Sequence, residues 1–172
     1  MLRRDYQGQN CSIARALEIL GERWTLLIVR DAFLGVRRFD AFGRKLGVAP
    51  NILSRRLETL TDGGVLEKRA YQHNPTRYEY LLTERGPALF PVMVTLLAWG
   101  DDGLSPAPPV LLRHASCGGD VDARTTCTTC GVAVTAREVE WWWGPGSGRE
   151  PSRIPVQEPA PKCRAQGDCE RG

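Results

Sequence analysis

Three short stretches decide the fold of this chain: Gly47-Val-Ala-Pro-Asn-Ile-Leu-Ser-Arg-Arg-Leu-Glu-Thr-Leu60, Gly63-Gly-Val-Leu-Glu-Lys-Arg-Ala-Tyr71 and Arg77-Tyr-Glu-Tyr-Leu-Leu82. Pro50 favours a helix start, because the amide that proline lacks has no partner in the first helical turn. Leu53, Leu57 and Leu60 then form one apolar stripe. The two later stretches are rich in β-forming residues and predict a hairpin with a loop at residues 72–76. A short basic helix that runs directly into a hairpin is the outline of a winged helix that binds DNA.

Three more helices are predicted ahead of this pattern. Ser12 to Leu20 carries apolar residues at spacings of three and four, which is typical of a helical face. A second helix runs from about Trp24 to a stop at Gly35, and a third from about Phe39 to Gly47. Gly63 and Gly64 end the fourth helix, since glycine adopts left-handed geometry without steric cost.

A long final helix is predicted after the hairpin. Thr83 offers a hydroxyl cap and Glu84 an acid at the helix N-terminus. One face of this helix carries Leu89, Met93, Leu96 and Leu97. We expect it to pair with the same helix, or with the first helix, of a second copy. Packing wholly within one chain is the alternative.

Composition divides the chain further. We predict a winged helix-turn-helix domain for DNA binding and dimerisation at residues 1–104, mostly α with a β-hairpin wing, and a stiff proline-rich linker at 105–109. A small Cys/His knuckle segment of β character is expected at 110–146, and a disordered tail at 147–172, where glycine, proline and charge leave little to pack.

The charge distribution favours a nucleic-acid partner. The net charge of +3 is small, but residues 37–77 hold nine Lys or Arg against four acids. Residues 105–172 hold eight of each. The basic excess therefore coincides with the helix and hairpin, as expected for a DNA-binding surface, although each charge alone would fit a solvated surface.

The candidate DNA contacts differ in kind. Asn51, Ser54 and Arg55 lie on the open side of the fourth helix, where amide and guanidinium groups can read base edges. Arg56 lies beside the apolar stripe, so a structural ion pair, a phosphate contact and base reading all stay open. Phosphate contacts are predicted for Arg37, Arg38 and Lys45, and wing contacts for Arg69, His73 and Arg77. His73 is also compatible with an ordinary solvated loop.

An ordered set of residues runs along the first part of the chain: Cys11, Leu17-Glu-Ile-Leu-Gly-Glu-Arg-Trp-Thr25, Arg38-Phe39, Leu53-Ser-Arg-Arg-Leu57, Leu60, Gly64, Tyr80-x-Leu82-Thr83 and Gly86. Over roughly residues 10 to 102 it resembles the bacterial HxlR-type transcription regulators, which are MarR-related. The resemblance implies a homodimer held by its first and last helices, with recognition helices in successive major grooves and wings on minor grooves. It also implies a repressor. A two-fold dimer predicts a pseudo-palindromic operator with half-sites about 34 Å apart or somewhat more.

Four residues of the second segment have metal-ligand spacing. His114-x-x-Cys117-Gly and Cys127-x-x-Cys130-Gly each place two donors within reach of one ion, with a glycine for the tight turn. The set predicts a closed, structural Zn²⁺ site. The gap between the pairs is shorter than in common zinc ribbons, and reduced thiols in a small hairpin are the alternative.

Cys11 stands at the front of the first helix, where a helix N-terminus lowers a thiol pKa. The resemblance implies a redox or electrophile sensor in this region, whereas a lone cysteine is more often a small buried residue. The effector stays unknown. No role is predicted for Cys163 and Cys169.

Other protein classes fit less well. An enzyme is not expected, because the two histidines have better explanations and no phosphate loop or paired-carboxylate motif occurs. A protein-interaction adapter that binds a partner such as RNA polymerase stays open, with Trp141-Trp-Trp143 either exposed or packed. No apolar run predicts a membrane span or signal peptide, so a cytoplasmic protein is expected.

Overall fold

The computed structural model describes residues 12–104 and 106–156. The described residues form two units, 12–81 and 82–156. The first unit contains helices α1 (Ser12–Leu20), α2 (Thr25–Phe33), α3 (Phe39–Leu46) and α4 (Pro50–Asp62), then strand β1 (Leu66–His73) and most of strand β2 (Thr76–Leu82). This is the winged helix-turn-helix that the sequence predicts, mostly α with a hairpin wing.

The core of the first unit is built on α4. Leu53, Leu57 and Leu60 are fully buried, as the predicted stripe requires. Pro50 occupies the first turn of α4, and the chain leaves the helix through Gly64 with φ +69°. Fully buried residues from the other elements complete this core: Ile28, Val29 and Phe42. The leucine stripe thereby fixes which face of α4 remains in solvent.

The wing is tied to the residues before α3. The backbone amide of Tyr80 donates to the Arg37 carbonyl at 2.8 Å, and Arg38 forms a β-bridge with Glu79. The connection between β1 and β2 consists of Asn74 and Pro75 alone. The predicted loop at residues 72–76 was too long, because the strands continue pairing beyond Tyr71 and before Arg77.

The last helix begins later than the sequence suggests. A 3₁₀ helix at Gly86–Leu89 comes first, and α5 spans Phe90–Leu104. The hydroxyl of Thr83 accepts a hydrogen bond from the Arg85 amide at 3.2 Å, which closes a local turn rather than capping a helix. Pro87 has no amide hydrogen to continue an α-helical ladder. The predicted helix start at Thr83 was therefore wrong, since α5 begins only at Phe90.

The second unit is completed by a small sheet. Strands β3 (Val110–His114) and β4 (Val139–Trp143) pair antiparallel, with Leu112 opposite Trp141 and His114 opposite Val139. Two 3₁₀ helices, Ala136–Glu138 and Pro145–Ser147, flank β4. Leu112, Val139 and Trp141 are buried, so this segment has a core of its own.

The chain stays packed beyond Ser147. The Ile154 amide donates to the Trp141 carbonyl at 2.6 Å, and the Ile154 side chain is buried. The segment up to Val156 is thus part of the second unit, although the sequence placed a tail from residue 147. Backbone pairing adds to this anchor, because the Trp143 amide donates to the Ser152 carbonyl at 3.0 Å and Arg153 forms a β-bridge with Trp142. The rest of that predicted tail, 157–172, lies outside the described residues.

Two helices carry exposed apolar side chains. On α1, Ile13 is 70% exposed and Leu17 is 40% exposed. On α5, Val92, Leu96 and Trp99 are exposed beside Pro91 and Thr95, with which they line a shallow apolar groove. None of the described helices has both the length and the apolar character that crossing a membrane would need.

Candidate nucleic-acid interface and metal centre

The open face of α4 carries three of the predicted base-reading residues. Asn51, Ser54 and Arg55 are all exposed, because they lie opposite the buried leucine stripe. Their side chains therefore present amide, hydroxyl and guanidinium donors to solvent. This arrangement can offer hydrogen bonds to base edges in a major groove, which admits an α-helix.

Arg56 points away from this face. Its Nη2 lies 3.0 Å from Glu22 Oε2, and the Arg56 side chain is only 12% exposed. The pair joins α4 to the turn between α1 and α2. Of the roles that the sequence left open for Arg56, this geometry supports the structural ion pair.

Two other predicted contacts also have acidic partners. Lys45 Nζ lies 3.1 Å from Asp31 Oδ1, and Asp31 is fully buried. Arg69 donates from Nε and Nη2 to Glu79 Oε1, at 3.0 and 2.7 Å. Both cations are still partly exposed, but each is already paired with a carboxylate of the same chain. They are weaker candidates for phosphate contacts than unpaired cations nearby.

The remaining predicted contacts surround the wing. His73 and Arg77 are exposed on the hairpin, and the Thr76 hydroxyl donates to the His73 carbonyl at 3.3 Å. The guanidinium of Arg38 lies 4.7 Å from the centre of the Tyr71 ring. The Nη1 atom of Arg37 is buried and has no hydrogen-bond partner within the described part of the chain.

Sequence reasoning missed one basic residue of this region. Lys68 on β1 is exposed, and its Nζ lies 4.3 Å from the centre of the Tyr78 ring. The sequence shows only that both strands contain cations and tyrosines. Their cross-strand stacking depends on the register of the hairpin, which composition alone does not supply.

The predicted metal ligands meet at one point. The ligand atoms of His114, Cys117, Cys127 and Cys130 all lie within 4.8 Å of one another. Cys117 Sγ is 3.2 Å from Cys127 Sγ and 3.8 Å from Cys130 Sγ, while His114 Nδ1 is 3.3 Å from Cys117 Sγ and 3.6 Å from Cys130 Sγ. A tetrahedral ion with Zn–S bonds of about 2.3 Å requires ligand separations of about 3.8 Å. The donor set and its spacing therefore fit a metal ion such as zinc.

Two tight turns aim backbone amides at the thiols. Gly118 and Gly131 both have φ +70°, and their amides donate to the carbonyls of His114 and Cys127 at 2.8 and 2.9 Å. The Cys130 amide, donating to the sulfur, is the largest cause that lowers the pKa of Cys127 to about 6. A cysteine held as thiolate near neutral pH is the form that binds metal.

Space around the sulfurs is restricted. A Cβ atom on Gly119 would lie 2.6 Å from Cys127 Sγ and 2.4 Å from Thr129 Oγ1. Only glycine fits at this position without displacing a predicted ligand. The amide of Gly119 also acts to lower the pKa of Cys117, but hydrogen bonds with the neighbouring thiols and burial raise it overall.

The three tryptophans are packed rather than displayed as a patch. Trp141 is buried and the other two are half-buried. Arg113 lies 4.8 Å from the ring centre of Trp142, and Arg149 lies 4.3 Å from that of Trp143. The remaining cysteines, Cys11, Cys163 and Cys169, lie outside the described residues.

Comparison with known proteins identifies the family. A family model described as HxlR-like helix-turn-helix matches residues 19–107, which is more than half of the 172 residues. The chain belongs to this family. As an HxlR-like protein, it is a transcriptional regulator with a helix-turn-helix DNA-binding fold, as its resemblance to the HxlR-type regulators predicted.

Relatives of this HxlR-like protein differ in length. An uncharacterised helix-turn-helix regulator of Mycobacterium tuberculosis is 48% identical over 143 residues, covering 82% of this chain and 89% of the relative. The regulator YvaP of Bacillus subtilis is 33% identical over 103 residues, covering 59% and 95%.

Solved structures agree with this assignment. The proposed transcription factor PA1607 is 36% identical and covers 76% of this chain and 93% of its own, with a TM-score of 0.62. The reduced form of the redox regulator HypR is 25% identical and covers 55% of this chain and 94% of its own, with a TM-score of 0.51. Both are similar to the HxlR-like chain in fold.

Proposed function

We propose that this HxlR-like regulator is a homodimeric repressor that binds a pseudo-palindromic operator. The observation that carries the proposal is the exposed Asn51, Ser54 and Arg55 face of α4, which lies in the same unit as a basic wing. In this proposal α4 reads bases in the major groove, and the wing contacts the flanking backbone or minor groove. Two copies are needed because one short helix reads too few base pairs to specify a site.

The predicted DNA contacts fall into two groups, according to whether an acidic side chain already pairs with the residue. Arg37, Arg38, His73 and Arg77 are proposed to position the protein on backbone phosphates, which carry no sequence information. Lys45, Arg56 and Arg69 are proposed to act first through their acidic partners, with any DNA contact secondary. Base reading is left to the α4 face.

Dimerisation is proposed to bury the exposed apolar residues of α1 and α5. Each helix exposes at least two large apolar side chains, and such faces mark interaction surfaces on soluble proteins. The relevant domain is residues 1–104, with residues 105–109 as linker. Association through these helices would give the two-fold symmetry that a palindromic operator matches.

The Cys/His segment, residues 110–146, is proposed to bind one structural zinc ion. His114, Cys117, Cys127 and Cys130 would complete a tetrahedral site and leave no position for a substrate. Zinc would cross-link the end of β3 to the loop at residues 127–130. The ligands' own turns and amide hydrogen bonds hold the sulfurs in place for it.

A redox or small-molecule signal is proposed as the input. HypR is a redox regulator, and Cys11, the residue that precedes Ser12 in the sequence, is the candidate sensor. The test is operator binding before and after peroxide or quinone treatment, in the wild type and in Cys11→Ser. An equal response in both proteins would discard Cys11 as the sensor.

The DNA-binding proposal is tested by selecting bound fragments from a random DNA pool. We expect one enriched motif with two-fold symmetry, a footprint over it, and increased reporter expression when the gene is deleted. An adapter would enrich no motif and protect no DNA. Decreased reporter expression on deletion would indicate an activator instead.

A further inference from the structure

A polar cleft of about 360 Å³ lies between the start of α3, the middle of α4 and the hairpin. Its lining includes three cations, Arg38, Lys68 and Arg77, against one carboxylate, Asp40. Ser54 of the base-reading face and several tyrosines line the same cleft. The cleft thus adjoins α4 on one side and the wing on the other, and it carries a net positive charge.

Two of the three cations of this cleft lie over aromatic rings. Arg38 lies over Tyr71 at 4.7 Å and Lys68 over Tyr78 at 4.3 Å, measured to the ring centres. An aromatic face orients a cation without cancelling its charge. Arg69 of the same hairpin, by contrast, donates both of its hydrogen bonds to Glu79.

The cleft also supplies neutral donors. Ser54 and Tyr78 are exposed, and their hydroxyls can donate to an anion's oxygens. Burial raises the pKa of Tyr80, as do the nearby Glu58 and Tyr78, so this hydroxyl also keeps its proton. Cations and hydroxyl donors of this kind are the groups with which proteins bind phosphate.

We propose that the cleft binds one backbone phosphate of the DNA, at the point where the strand passes from α4 to the wing. Arg38, Lys68 and Arg77 neutralise the phosphate. Tyr71 and Tyr78 are positioning residues that hold two of these cations. The inference rests on the proposed DNA-binding function, and it adds Lys68 and the two tyrosines to the interface.

A DNA phosphate fits better than a small free anion. The cleft is open to solvent along the wing, where Tyr78 is 43% exposed and Arg77 is exposed. A free anion would keep much of its hydration in so open a site. A DNA strand placed by α4 brings its phosphate to the cleft without a separate binding step.

The test measures the salt dependence of binding to the selected operator and to a random duplex. Lys68→Gln is expected to weaken binding to both DNAs by the same factor and to reduce the slope of log K against log salt by about one. Tyr78→Phe keeps the ring but loses the hydroxyl donor, so it is expected to retain the wild-type slope and to lose less affinity than Tyr78→Leu. Tyr78→Leu removes the ring and is expected to weaken binding to both DNAs. Arg137→Gln, an exposed cation of the second unit, serves as the matched control.

The outcomes separate this inference from the function on which it rests. If the wild type binds its operator but Lys68→Gln keeps the full slope and affinity, the phosphate site is wrong and DNA binding stands. If the wild type binds no DNA, the proposed function itself fails. Saturable binding of inorganic phosphate to DNA-free protein, lost in Lys68→Gln, would overturn the choice of DNA as the phosphate source. No such binding is expected at millimolar phosphate.

Discussion

Arg56 and Glu22 form an ion pair, with Nη2 and Oε2 3.0 Å apart, that ties α4 to the turn before α2. Its neighbour Arg55 lies about 100° further round the helix and is exposed. Two consecutive arginines therefore have different surroundings. Arg56 ties α4 to the turn, and Arg55 is exposed, as the proposed base reading requires.

This difference predicts opposite phenotypes for two adjacent variants. Arg56→Gln should lower the free energy of unfolding by about 0.5 to 1 kcal/mol, since the pair is only partly buried. Arg55→Gln should leave stability within about 0.5 kcal/mol of the wild type but weaken operator binding by about 1 to 3 kcal/mol. Urea unfolding and fluorescence anisotropy measure the two effects. Equal losses of affinity with unchanged stability would refute the division of roles.

The apolar groove of α5 predicts a monomeric variant. Leu96→Lys places a charge in the proposed dimer contact, so the variant is expected to sediment as a monomer where the wild type sediments as a dimer. Val132→Lys alters an equally exposed apolar residue of the second unit and is the control. A dimer that persists in Leu96→Lys at micromolar concentration would move the interface elsewhere.

The cysteine cluster predicts a metal content. Purified protein should contain about one zinc per chain, because the four ligands complete one tetrahedral site. Cys127→Ser should lose most of it, while Cys163→Ser should not. Elemental analysis of protein produced with added zinc measures this content. A wild-type protein without bound metal would show that the zinc site is wrong.

Gly119 offers a finer probe of the same site. The new Cβ in Gly119→Ala would meet Cys127 Sγ and Thr129 Oγ1 well inside contact distance, so zinc affinity should fall about tenfold or more. Gly100→Ala in α5 meets no atom within 4 Å, and it should leave zinc affinity unchanged. Competition with a coloured chelator measures both. Equal affinities would mean that the loop relaxes around the added carbon.

The second unit should also show a pH-dependent contribution from Asp122. Amide hydrogen bonds from Thr126 and a side-chain bond from Arg124 lower its pKa in the folded chain. A lowered folded pKa means that the unfolded chain binds more protons, so the contribution is present above the ordinary pKa of about 3.9 and is lost as pH falls through the folded value. The stability difference between wild type and Asp122→Asn should therefore disappear in that window. Urea titrations of both proteins at each pH remove the changes in stability that the two proteins share. A stability difference that does not vary with pH would contradict the assignment.

Local patterns in the sequence predicted the helices well. The leucine stripe and Pro50 placed α4, and the ligand spacing brought His114 and Cys117 together with Cys127 and Cys130 as the structure has them. The leucine stripe and each of the two ligand pairs are encoded within a few residues. Periodicity and spacing are sufficient to recognise them.

Tertiary pairing accounts for most of what the sequence did not reveal. The partners of Arg56 and Arg69 lie 34 and 10 residues away, and no local pattern singles out Glu22 or Glu79. The start of α5 was missed because Thr83 caps a turn that Pro87 prevents from becoming an α-helix. The Lys68 and Tyr78 contact depends on hairpin register, which the composition of the strands leaves undetermined.

The two-residue connection at Asn74 and Pro75 has a consequence for binding. A wing joined by so short a turn, and bridged to Arg38 at its other edge, has few backbone conformations left to lose. Ordering a long loop on DNA would consume part of the interaction free energy as conformational entropy. In the proposed complex the wing is already ordered before it contacts the duplex, so we expect its contribution to affinity to depend mainly on charge and little on the ordering of a loop.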